Sequence, residues 1–183
     1  MSFSTTAVTG NSIFQRISNS RPKISQNRKE VISLLQKCKH VYQIQPIHAK
    51  IIRNAQGQDP FVIFELLRLC SNLNSIDYAN KIFQQTKTPN VYLYTALIDG
   101  FVSSGCYLDA IRLYCQMVNE FILPDNYAIT SVLKACGFGL ALEEGREVHA
   151  QILKLGLSTN RSVRMKLMGL MGSAVNLNMH GRF

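Results

Sequence analysis

From Glu30 onward the apolar positions recur three and four residues apart, which is the spacing of one helix face. Within residues 91–125 one stripe runs Tyr94, Leu97, Ile98, Phe101, Val102. After "SSG" (Ser103 to Gly105) a second runs Leu108, Ile111, Tyr114, Cys115, Val118. Gly105 stands where a helix commonly ends. Asp109 falls in the first turn of the following helix, where a negative charge suits the dipole. "ILPDN" (Ile122 to Asn126) breaks the second stripe at Pro124. The segment therefore predicts helix, short turn, helix, turn. Strict alternation and Asn-Gly or Asp-Gly hairpin turns are scarce, so strands are not predicted.

A helical hairpin of this length calls for comparison of the chain with itself. "ITSVLKAC" (Ile129 to Cys136) repeats the pattern of "VISLLQKC" (Val31 to Cys38), and "GREVHAQILKLG" repeats that of "IQPIHAKIIRNA". "IDYANKIFQQTKTPN" matches "YLDAIRLYCQMVNEFILPD", with Ala79 and Ala110 in equivalent places. These matches divide the body into units 28–59, 60–90, 91–125, 126–160 and 161–183, the first a degenerate cap and the last incomplete. One hairpin cannot bury its own stripe, so neighbours must stack on it. The predicted fold is all-α, a right-handed α-solenoid of helix-turn-helix repeats. Ala79 and Ala110 sit early in second helices, where two helices approach closely. His48 and His149 occupy the same place in two units several layers apart. Shared packing explains them, and a common metal or proton does not.

Composition changes this picture little. The chain is 46% hydrophobic and 17% charged, with a net charge of +9. The charge is concentrated at the ends. Residues 1–29 carry five basic residues and no acid, 161–183 carry four and no acid, and 30–160 balance 11 against 11. The basic pI therefore describes the termini, not a binding face. Residues 1–29 also hold nine Ser or Thr and lack a continuous apolar core, the composition of an organelle transit peptide, plastid before mitochondrion. Five cysteines without a C-x-x-C pair suggest small buried hydrophobes rather than a metal site or disulfide framework. No run is long and apolar enough to span a membrane. No phosphate loop, nucleophile elbow or acid/base pair is present. Glu143, Glu144 and Glu147 read as a solvated helix start. Neither an enzyme, a cofactor nor a small-molecule substrate is expected.

The 91–125 unit resembles the pentatricopeptide repeat family. Val91, Tyr94, Leu97, Ile98, Gly100, Gly105, Ala110, Met117, Pro124 and Asp125 carry the likeness, and Phe121 departs from it where the family has glycine. Unit 126–160 resembles the family's long variant and 60–90 its short one. That order is similar to the plant subclass that alternates such types and serves organelle RNA editing. "GSAVNLNMHGRF" lacks the turn and second helix of a repeat, so the chain is expected to stop short of the further repeats and deaminase-like domain of that subclass.

The resemblance implies binding of single-stranded organellar RNA, one base per repeat, read by a residue of the first helix and the last residue of the repeat. Carried onto this chain, the pairs are Thr95 with Asp125, associated with guanine, and Thr130 with Asn160, associated with adenine. Phe64, paired with Asn90, cannot read an edge but can stack. Ile32 with Asp59 lies outside the pattern. So few readers predict weak binding by the chain alone, above micromolar. Three readings stay open: an RNA-specificity factor for processing or C-to-U editing, working with other organelle RNA-processing proteins; a protein–protein adaptor; and a truncated product without activity of its own.

Overall fold

The computed structural model describes residues 27–139, 141–156, 161 and 163–169. Helix α1 covers 27–37 and a 3-10 turn covers Val41–Gln43. They are followed by α2 (Ile44–Arg53), α3 (Pro60–Asn72), α4 (Ile76–Gln84), α5 (Val91–Ser103), α6 (Tyr107–Asn119), α7 (Asn126–Phe138) and α8 (Leu142–Lys154). A last helical stretch, α9, covers 163–169. No strand occurs among the described residues.

Consecutive helices pair as antiparallel hairpins: α3 with α4, α5 with α6, α7 with α8. The first helices also pack on one another, α5 lying between α3 and α7. The result is an all-α helical-repeat solenoid, with α3, α5 and α7 forming one layer and the second helices the other. One continuous core runs through it, from Val31 and Leu35 to Val163 and Leu167.

Close approach decides two small residues. A Cβ on Gly100 would stand 2.3 Å from Ser71 Oγ of α3 and 2.9 Å from Ile76 Cδ1 of α4, so a side chain there would force these neighbours to shift. Gly105 has φ +75° and ends α5, with the amide of Cys106 donating to Phe101 O at 2.9 Å, the six-to-one bond of a Schellman cap.

The same cap closes α6 at Phe121, with φ +58° and the Ile122 amide donating to Met117 O at 3.1 Å. A non-glycine residue pays a steric cost there, and Phe121 is 94% exposed, so little packing offsets it. Phe121→Gly should therefore stabilise the protein by about 0.5–1 kcal/mol, after allowing for glycine's freer unfolded chain. Thermal unfolding of the two proteins checks this, and an unchanged or lower Tm counts against it.

The amino-terminal segment set aside as a transit peptide lies outside the described residues up to position 26. Residues 27–29 are already helical. Arg28 anchors this start: its Nε donates to Asp59 Oδ2 at 2.8 Å, and its guanidinium lies 6.0 Å from the Phe61 ring centre. These contacts tie the start of α1 to the start of α3.

Candidate nucleic-acid interface

The N-termini of α3, α5 and α7 are built alike. Each begins after an Asx residue whose side chain accepts backbone amides left free at a helix start. Asp59 Oδ1 accepts from Phe61 N at 3.0 Å, Asn90 Oδ1 from Leu93 N at 3.1 Å, and Asp125 Oδ1 from Ala128 N at 2.7 Å. The last residue assigned to each unit is thus the N-cap of the next unit's first helix. Capping fixes where that side chain stands.

Two residues beyond each cap stands an aromatic ring: Phe61, Tyr92 and Tyr127, exposed by 49%, 63% and 75%. Aromatic side chains of the core, such as Tyr94, are fully buried, so these rings form a separate set. Sequence reasoning missed them. The signal was available, because 61, 92 and 127 follow the same 31- and 35-residue steps as 59, 90 and 125.

Five residues beyond each cap come Phe64, Thr95 and Thr130. The structure brings all three, with Asp125, Tyr92 and Tyr127, to one groove of about 570 Å³ on the face of the first-helix layer. Thr95 Oγ1 donates to Asp125 Oδ1 at 3.3 Å, joining residues 30 apart in sequence. Thr130 Oγ1 donates instead to Tyr127 O at 3.0 Å. Phe64 is half-buried, with the Arg68 guanidinium 5.7 Å from its ring centre. A narrower apolar cleft adjoins the groove, formed by Pro60, Phe61, Phe64, Asn90 and Tyr92. Asn160 lies outside the described residues.

The chemistry of the central pair follows from its hydrogen bonds. While the Thr95 hydroxyl gives its proton to Asp125, its lone pairs are left as acceptors. Asp125 Oδ1 serves the cap and Thr95, and Oδ2 has no partner among the described residues. The pair therefore presents two adjacent acceptors, suited to two neighbouring donors on one planar edge.

The remaining sequence candidates are placed in the framework. Ala79 in α4 and Ala110 in α6 are fully buried. His48 in α2 is half-buried, its Nδ1 2.9 Å from Tyr78 Oη, and burial holds its pKa below the ordinary histidine value. His149 is half-buried in α8. Burial pushes the Cys70 and Cys136 thiols up to about 12, far from the thiolate needed for reactivity. Among the described residues no cluster of histidine, cysteine or carboxylate side chains could hold a metal, and no helix is long and apolar enough to cross a membrane.

Comparison with known proteins agrees with this architecture. Residues 89–137 match the model of the PPR repeat family. A putative chloroplastic pentatricopeptide repeat-containing protein of Arabidopsis thaliana is 51% identical over 172 residues, which is 93% of this chain and 31% of that relative. A second pentatricopeptide repeat-containing protein of the same plant is 31% identical over 126 residues, 68% of this chain and 24% of the relative. A third, named chloroplastic, is 31% identical over 137 residues, 73% of this chain and 23% of the relative. The chain thus spans less than a third of the length of these relatives. With its stacked helical hairpins and these relatives, the chain belongs to the pentatricopeptide repeat family.

Proposed function

We propose that this chain is a sequence-specific single-stranded RNA-binding repeat protein of a plant organelle, the chloroplast, acting as a specificity factor in RNA processing or C-to-U editing. The repeat units of the proposal are 28–59, 60–90, 91–125 and 126–160, with part of another in 161–183. Relatives named chloroplastic support the compartment. The observation that carries the reading is the Thr95–Asp125 hydrogen bond in a groove flanked by the exposed rings of Tyr92 and Tyr127.

A base entering between two such rings is held by stacking on its faces. Its Watson–Crick edge then meets the Thr95–Asp125 pair. Guanine offers the adjacent donors N1–H and N2–H₂, which match two acceptors. Adenine and cytosine place a ring-nitrogen acceptor beside the amine and leave an acceptor opposed to an acceptor.

Thr95→Asn replaces the hydroxyl by an amide whose NH₂ donates. Together with Asp125 it offers donor and acceptor, which suits uracil's carbonyl beside N3–H. The base preference should move from G toward U by on the order of tenfold in the affinity ratio, since a good edge contact is worth about 1–3 kcal/mol. Fluorescence-anisotropy titration of both proteins against four oligoribonucleotides differing at one central base reads this ratio. Superimposable curves for parent and variant would sink the base-reading assignment.

A further inference from the structure

One helical turn past the reading positions 64, 95 and 130 stand Arg68, Asp99 and Lys134. All three line the same groove. They form a row of alternating charge along the first helices, in the same register as the caps and rings. Lys134 is half-buried and has no ion-pair partner among the described residues. Arg68 is more exposed; it lies over Phe64 and 3.6 Å from Glu65. Asp99 Oδ1 accepts from Ser131 Oγ at 3.0 Å, which fixes the carboxylate between the two cations' helices.

We propose that Arg68 and Lys134 hold phosphates of the bound strand on either side of the central base, and that Asp99 interrupts this row and lowers affinity at the unit that reads best. The inference rests on the RNA-binding reading above. The rim of the groove at the helix N-termini carries the capping carboxylate Asp125, which would repel a phosphate chain. The cationic rim is therefore where the backbone of a stacked strand finds compensation. Neighbouring first helices lie about 8–10 Å apart, so Arg68 and Lys134 flank the layer of Asp99 on both sides. A phosphate passing that layer meets a carboxylate instead of a cation. The row thus makes binding depend on the edge contacts at Thr95 and Asp125 rather than on nonspecific charge.

The test uses the full chain and a labelled single-stranded oligoribonucleotide with one central guanosine, titrated across a salt series. Each phosphate contact to a single strand contributes about 0.7 to the slope of log affinity against log salt. Arg68→Gln and Lys134→Gln should each lower the slope by about 0.7 and weaken binding roughly threefold at low salt. Asp99→Asn, which keeps an acceptor for Ser131, should tighten binding roughly threefold without moving the base preference. Asp99→Lys should raise the slope by about 0.7. Lys154→Gln, exposed on α8 outside the groove, should leave it unchanged. If the parent binds and Thr95→Asn moves its preference, but Arg68→Gln and Lys134→Gln keep the parent's slope, the phosphate row is overturned and base reading stands. If Asp99→Asn weakens binding, Asp99 contacts the base instead and its role as a brake is overturned. If the parent binds no single strand at any salt, both readings fall.

Discussion

Tyr94→Ala lowers the unfolding free energy by about 3–5 kcal/mol, whereas Tyr94→Phe costs about 1–2 kcal/mol. Tyr94 is fully buried, and its ring meets Phe83 of α4 edge-on with centroids 4.8 Å apart. Its hydroxyl donates to Glu120 Oε2 at 2.6 Å, at the carboxyl end of α6. One side chain therefore joins three helices from two hairpins. Truncation to alanine removes the ring and leaves a cavity that the stacked helices cannot close. Phenylalanine removes only the hydrogen bond.

The two variants also separate a pH effect. The hydrogen bond from Tyr94 holds the Glu120 carboxyl below its ordinary value. A depressed carboxylate adds stability that is present above its unfolded pKa and is lost as pH falls through the folded value. Glu120 is open to solvent, so this share is small. The parent should approach Tyr94→Phe in stability at acid pH and exceed it at neutral pH. Urea unfolding at the two conditions measures both effects, and a Tyr94→Ala protein within about 1 kcal/mol of the parent would contradict the packing account.

Replacing Tyr92 and Tyr127 together by alanine should remove about 2–6 kcal/mol of RNA affinity while leaving the fold intact, because each base–ring stack is worth about 1–3 kcal/mol. Both rings stand in solvent on the groove face, and neither contributes to the buried core. The loss should be equal for all four central bases, since every base has a π-face. Thr95→Asn should do the reverse, changing preference more than strength. Anisotropy titrations with far-ultraviolet circular dichroism as a fold control separate the two. Parent-like affinity in the double variant, or a loss confined to one base, would remove the rings from the interface.

Glu120 and Tyr94 also show what could be read in advance. The Tyr94 stripe was legible, because its period of three to four residues marks a helix face whatever the neighbours are. Glu120 was not, since nothing local says that a residue 26 positions away will reach it. The positions of Thr95 and Asp125 followed from repeat register, but their hydrogen bond did not. It needs α5 and α7 packed side by side. Phe121 was visible as a departure from the family pattern, and the positive φ at that position supplies the physical reason. Phe61, Tyr92 and Tyr127 stand out by their repeat steps, but hydropathy alone does not distinguish an aromatic facing the core from one facing a groove. Arg68 and Lys134 were not legible from the balanced charge of the body, because net charge says nothing about which face carries each sign.

The sequence by itself determined the helices, their pairing into hairpins, the turn at Gly105 and the family, because periodicity and turn residues act over a few positions of chain. Only the tertiary structure decided which side chains share the groove: the Thr95–Asp125 pair, the row of rings and the alternating charges of Arg68, Asp99 and Lys134. Those neighbours lie 30 or more residues apart, and only the stacking of α3, α5 and α7 brings them to one face.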